Sequence, residues 1–287
     1  MAALNLITWN IQWCRGCDGV VDPARIARVC RETGDADVLC FQEVARNFPG
    51  LDGSRGEDQF ALLAAALPGF ECVEGTAVDV RAPDGSRRQF GNAIFSRLPV
   101  VQAFRHLLPF PADPGVPGMQ RVAVEAVIQA ASGPLRVVTT HLAYYSALQR
   151  AAQVERLREL QAEAVGHARD GAQAEKEGGP FATQPRPSSA ILTADFNFRP
   201  EDPLWARVQA PIGPGVPALR DSWPIAHPVR PHAPTLGVYD KEQWPGEAFC
   251  CDFIFVTEDL AQRVEDVMVN SKTDASDHQP VLLKLRD

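Results

Sequence analysis

The sequence predicts an α/β domain built on mixed β-sheet, and three observations carry that reading. Strand, helix and strand candidates alternate over the first part of the chain, two later hairpins add antiparallel pairs, and polar residues of one chemical kind border apolar strands. With 287 residues, of which 45% are hydrophobic and 22% charged, the chain can bury a sizeable core and is ordinary for a globular protein. A single domain spanning 1–287 is the expectation.

Residues 4–9 (LNLITW) read as a buried strand that delivers Asn10 at its end. Asp22-Pro23 is an N-cap followed by proline at the first helical position, and Ile26, Val29 and Cys30 give that helix an apolar face as far as Gly34. Residues 37–41 (DVLCF) form the next strand, ending at Gln42-Glu43. Residues 59–67 read as helix and 70–80 as strand, and Ala82-Pro83-Asp84-Gly85 turns the chain toward an apolar strand at 91–95. A second hairpin joins 122–128 to 135–140 through Ser132-Gly133-Pro134 and ends at His141. The longest helix runs from Ser146 to about Glu177, with Leu148, Val154, Leu157, Leu160 and Val165 apolar, and Gly and Pro at 178–188 break it. Residues 190–193 deliver Ala194-Asp195-Phe196-Asn197, and 211–246 is loop-rich. Residues 251–256 and 280–285 are the last strands, the second just after Ser276-Asp277-His278.

A formal charge of −8 offers no global attraction to nucleic acid, although a bound cation can still bring phosphate to an acidic protein. The start, MAALNLITWNIQWC, has no basic segment or long apolar run, and no stretch of about 20 apolar residues follows, so neither a signal peptide nor a membrane span is expected. Seven cysteines, an odd set without regular spacing, point to reduced thiols in a cytoplasmic protein. Cys14 and Cys17 have the spacing of a zinc pair that Cys250-Cys251 could complete, but adjacent cysteines ligate one ion poorly, and free thiols are the expectation.

Asn10, Glu43, His141, Asp195 with Asn197, and Asp277 with His278 all follow or border apolar strands, and ligands of α/β sheets gather beyond strand ends. Glu43 and Asp277 are hard oxygen donors suited to Mg²⁺ or Mn²⁺. The histidines can donate to a phosphoryl oxygen that gains charge, Asp195 can act as general base on water, and Asn197 can donate to phosphate or orient the nucleophile. A lone Glu at a strand end is most often a solvated residue, and Asp195-Phe196-Asn197 alone reads equally well as an Asx turn. The joint occurrence decides. Tyr144-Tyr145, His227, His232, Tyr239 and Trp244 are candidate pocket residues, weighed against plain loop anchoring, and Arg15, Arg46, Arg55, Arg87 and Arg88, in expected loops, are candidates for a second phosphate, weighed against ordinary solvation.

Thr8-Trp9-Asn10, Phe41-Gln42-Glu43, the run Gly91 to Arg97 (GNAIFSR), Thr140-His141-Leu142, Ala194-Asp195-Phe196-Asn197, the run Cys251 to Val256 (CDFIFV) and the run Ser276 to Val281 (SDHQPV) together resemble the endonuclease/exonuclease/phosphatase, or DNase I-like, superfamily. The resemblance implies a four-layer sandwich, two packed mixed β-sheets flanked by helices. It implies Glu43 on the metal with Asn10 and Asp277 close by, Asn197 and His141 on the scissile phosphate, Asp195 aligning or deprotonating water, His278 polarising the phosphate, and Asp252 orienting that imidazole. Where the repair endonucleases carry Tyr-x-Pro-Asn this chain has Thr140-His141-Leu142, which disfavours abasic-site repair, and Ala194 replaces the commoner Gly. The expected protein is a monomeric Mg²⁺- or Mn²⁺-dependent phosphoesterase with a phosphate-ester substrate and no obligate protein partner. A nuclease of the same fold is the rival, and a non-catalytic binding module the alternative from another class.

Overall fold

The computed structural model describes residues 4–171 and 179–286. The chain begins with β1 (Leu4–Asn10), helix α1 (Pro23–Thr33) and β2 (Val38–Arg46), then α2 (Gln59–Ala66) and the hairpin β3 (Glu71–Arg81) and β4 (Arg87–Ser96). Next come β5 (Val100–Leu107), the hairpin β6 (Val122–Ala130) and β7 (Gly133–His141), α3 (Ala147–Arg169), β8 (Ala190–Asp195), α4 (Pro203–Gln209), β9 (Leu219–Asp221) and α5 (Ser222–Ala226). The chain closes with β10 (Asp252–Thr257), α6 (Glu258–Ala261), β11 (Val264–Val269) and β12 (Val281–Leu285).

Capping fixes the helix starts foreseen from the sequence. The Asp22 carboxylate accepts from the Arg25 amide with Pro23 opening α1, and Ser146 caps α3 by accepting from Gln149. Helix α3 ends at Arg169, and the part of the expected helix nearest Glu177 lies outside the described residues.

The strands form two six-stranded mixed sheets, ordered β11-β12-β1-β2-β4-β3 and β5-β6-β7-β8-β10-β9. In the first, β1 and β2 run parallel, and in the second, β7 and β8 do. Leu6, Val38, Ile94 and Leu283 of one sheet meet Val124, Val137, Ile191 and Ile254 of the other in an apolar layer between them. Helices α1 and α2 cover the outer face of the first sheet through Ile26, Phe60 and Leu63 against Trp9 and Phe41. Helix α3 covers that of the second through Val154, Leu157 and Leu160 against Val138, Leu192 and Phe255. This is the four-layer α/β sandwich of the DNase I-like kind, and no helix among the described residues is long and apolar enough to cross a membrane.

One strand differs from the sequence reading in a way that matters to the site. Strand β2 does not stop at Glu43 but continues to Arg46, with an irregularity against β4 between Gln42 and Val44. Glu43 occupies that bulge at φ +61°, a left-handed conformation that an ordinary strand residue avoids. The bulge turns its side chain to the same end of the sheets as Asn10, where the Asn10 amide meets it.

Candidate active site

Strand register brings three of the candidate residues side by side. His141 pairs with Asp195 across the parallel β7–β8 ladder, and Asp195 pairs with Asp252 across antiparallel β8–β10, so the ends of three neighbouring strands present them in one row. From the opposing sheet, Asn10 at the end of β1 donates its amide N–H groups to Glu43 Oε1 at 3.2 Å and to Asp195 Oδ2 at 3.0 Å, bridging the two halves. Its own oxygen accepts from the Gln12 amide. The loop before β12 is anchored by Ser276, whose hydroxyl donates to Asn10 O, and by the buried Trp9 indole, which donates to His278 O. That anchoring sets Asp277 and His278 at the same cleft.

His278 Nδ1 is 2.9 Å from Asp252 Oδ2, and Nε2 lies 3.6 Å from Asp195 Oδ2. Burial alone would lower this imidazole, but Asp252, Asp195 and Asp277 overcome it and hold it well above the ordinary histidine value. His141 is the opposite case: burial, then the Arg121 and His278 charges, drive it well below that value. Asn197 donates to His141 Nε2 at 2.9 Å and to Leu142 O at 3.0 Å, which assigns the proton of the neutral ring to Nδ1, 3.7 Å from Glu43 Oε1. Asn197 sits at φ +53°, locked by its own amide donating to Asp195 Oδ1. Burial raises the Asp195 carboxyl above the usual carboxylate range, and burial with the neighbouring Asp277 charge raises Glu43 to about 7.

Glu43, His141, Asp195, Asn197, Asp277 and His278 line one cleft of about 220 Å³; Asn10 and Asp252 support it from beneath. The cleft shares Tyr144, Asn197, Leu236 and Trp244 with a larger open pocket of about 740 Å³, whose rim carries Arg199 over the Phe249 ring. Trp244 donates to Asp277 Oδ2 at 3.1 Å and meets Tyr144 edge-on, and Tyr145 lines the same cleft, so these three aromatics do belong to the site. His227, His232 and Tyr239 do not reach it: they bond Val267 O, Asp221 and Ser271 O, as loop anchors. Of the arginines placed in loops by the sequence, Arg46 lies at the end of β2 and Arg87 and Arg88 at the start of β4, and Arg15, Arg46 and Arg87 are paired with Asp52, with Asp58 and Glu74, and with Asp79.

Arg121, just before β6, escaped the sequence reading. It lines the cleft at 8% exposure, and among the described residues its side chain has no hydrogen bond or ion pair. Its sequence signal, a lone Arg bordering an apolar strand, is the same as that of the residues singled out.

The residues present also fit a divalent cation. Glu43 and Asp277 are close enough for the Asp277 charge to raise the Glu43 carboxyl, and neither has a Lys or Arg within ion-pair distance among the described residues. An all-oxygen pair that lacks a compensating cation suits Mg²⁺ or Mn²⁺ better than a softer ion.

The chain belongs to the Endonuclease/Exonuclease/phosphatase family, whose model matches residues 7–278. It is similar in structure to an endonuclease/exonuclease/phosphatase from Bacteroides vulgatus, at 19% identity and TM-score 0.65 over 100% of this chain and 99% of that one. A mannosyl-6-phosphatase of Bacteroides thetaiotaomicron has 18% identity and TM-score 0.62 over 99% and 100%. The D. rerio TDP2 complexed with single strand DNA product has 18% identity and TM-score 0.62 over 100% of both chains. No curated protein matches the chain in sequence.

Proposed function

We propose that this protein is a Mg²⁺- or Mn²⁺-dependent hydrolase of phosphodiester or phosphomonoester bonds that uses in-line attack by water. The observation that carries the reading is the row of His141, Asp195 and Asp252 on three paired strands, met by Asn10, Glu43 and His278 from the other sheet. Glu43 and Asp277 would hold the cation, with Asn10 orienting Glu43. The cation would supply Lewis-acid stabilisation of developing phosphoryl charge.

This chain's own residues account for the remaining steps. Asp195, whose raised pKa makes it a better base than an exposed carboxylate, takes the proton of the attacking water. His278, kept protonated by Asp252, donates from Nε2 to a non-bridging phosphoryl oxygen. Arg121 adds a positive charge that forms no ion pair among the described residues, and Asn197 holds the neutral His141 ring at the cleft. A net charge of −8 and a wider pocket that mixes Arg150 and Arg199 with Glu201, Asp202 and Glu247 favour a small phosphate ester. The likeness to TDP2 bound to a single strand DNA product supports nucleic acid as the second reading.

The test is hydrolysis with Mg²⁺ or Mn²⁺ across sugar phosphates, inositol phosphates, sphingomyelin, plasmid DNA and nitrophenyl phosphate esters. Turnover that requires metal and vanishes in His278→Ala is expected. No turnover on any of them, together with no Mg²⁺ or Mn²⁺ binding by calorimetry, overturns the reading in favour of a binding module.

A further inference from the structure

Cys251 is buried at 1% exposure yet belongs to none of the three apolar clusters, whereas its neighbour Cys250 packs with Phe253 and Phe255. Its thiol faces polar groups instead: Asp252 Oδ2 at 3.5 Å and Thr235 Oγ1 at 4.0 Å. Asp252 Oδ2 in turn is 2.9 Å from His278 Nδ1, and Oδ1 of the same carboxylate is buried without a hydrogen-bond partner. Among the described residues, Cys251, Asp252 and His278 are the one set of three Cys, His or acidic residues whose ligand atoms all lie within 4.8 Å of one another.

We infer that these three side chains form a second, thiol-containing site for an ion of the Zn²⁺ class, and that occupying it switches the hydrolase off. Zinc held by nitrogen and oxygen at about 2.0 Å and by sulfur at about 2.3 Å sets its ligand atoms roughly 3.3–3.5 Å apart. The Sγ to Oδ2 separation already matches, and the His278 to Asp252 separation has to open by only a few tenths of an ångström. The orphan Asp252 Oδ1 is at hand to complete the shell. A sulfur and an imidazole in the set select a softer ion than the all-oxygen pair Glu43 and Asp277, so the two sites discriminate between metals by donor type. On binding, the Cys251 thiol proton and the His278 Nδ1 proton leave to solvent, and the thiolate and carboxylate balance the two positive charges.

The functional consequence follows from the dyad. Nδ1 of His278 can face Asp252 or a metal, not both, and opening the pair tilts the ring whose Nε2 faces the cleft. His278 lines that cleft, and Cys251 and Asp252 lie buried behind it. The inhibitory effect rests on the hydrolase reading, but the site itself does not.

The first arm of the test needs no turnover. With Mg²⁺ saturating, Co²⁺ titrated into the full chain is expected to give a thiolate-to-cobalt charge-transfer band in the near ultraviolet. The band should be lost in Cys251→Ser and in His278→Ala, and kept in Cys17→Ser. In the second arm, Zn²⁺ inhibits Mg²⁺-supported turnover, and Cys251→Ser, with basal activity retained, needs at least about tenfold more Zn²⁺ for the same inhibition. No band in the wild type, a band that persists in Cys251→Ser, or equal zinc sensitivity of the two proteins overturns the inference.

Discussion

Arg121 shows how one residue can cost the fold something and serve the site. Its guanidinium is buried with Nε and Nη1 unbonded among the described residues, and burial pulls its pKa down further than the Glu43 and Asp195 charges bring it back up. Such a cation is retained where an anion arrives. Replacing it by Met keeps the volume, removes the unpaired charge and removes the phosphate contact. Arg121→Met is therefore expected to lower kcat/KM by about 10- to 100-fold, the worth of a charge-assisted hydrogen bond. The same variant should melt about 2 °C higher than the wild type or more, because a buried unpaired charge is gone. A variant that melts lower and turns over normally would make Arg121 a packing residue. The other site residues follow or border apolar strands as Arg121 does, but they form a set of acids, amides and histidines suited to one chemistry, whereas a lone arginine gains its meaning only when the fold shows what fails to pair with it.

At the scale of elements, the position of Glu43 depends on a backbone irregularity that local sequence does not announce. Gly91 of β4 sits where the bulge of β2 and the bulge of β3 converge, pairing with Val44 on one side and Thr76 on the other. A Cβ there would come 1.9 Å from Gly75 O, so the backbones approach too closely for any side chain. Gly91→Ala is expected to cost roughly 3 kcal/mol in urea unfolding and to lower activity further than stability alone explains, because the bulge aims Glu43. Unfolding within about 0.5 kcal/mol of the wild type would show that the bulge tolerates a methyl group. The same distinction separates what was legible among the elements. Helix α1 was read from Asp22-Pro23, and α4 starts on an identical signal, Asp202-Pro203, but its seven residues are too few to show an apolar periodicity. Strands β5 (VVQAFRHL) and β11 (VEDVMV) are sheet edges with mixed burial, so their apolar pattern is diluted by the polar face that an exposed edge carries. Each edge strand pairs only with the next strand in the chain, β5 with β6 and β11 with β12, so its other side is left open and its pattern is weaker than that of a central strand.

Over the whole molecule, the two sheets divide the chemistry. Asn10, Glu43 and Asp277 hang on the first sheet, and His141, Asp195 and Asp252 on the second; Asn10 to Asp195, His278 to Asp252 and Gln42 to Thr139 join them. The site therefore stands only while each sheet keeps its shape, and the second is braced on its outer side by charge. Glu125 of β6, fully buried, accepts two hydrogen bonds from Arg186, lies 3.3 Å from His106 and 3.7 Å from Arg136, and Arg136 also donates to Gln161 of α3. Burial alone would raise this carboxyl, but the His106 and Arg186 hydrogen bonds and the Arg136 charge bring it down from the ordinary 4.5 to about 2. A folded-state pKa below the unfolded one adds stability that is complete above the unfolded value and disappears as pH falls through the folded value. The contribution is about 3 kcal/mol at pH 7, and it is lost between about pH 4.5 and pH 2. Glu125→Gln lacks it at every pH, so urea unfolding should find the variant about 3 kcal/mol weaker than the wild type near neutrality, with the two converging as acid is added through that window. A difference that stays constant down to about pH 2 would assign the brace to packing under α3 rather than to charge.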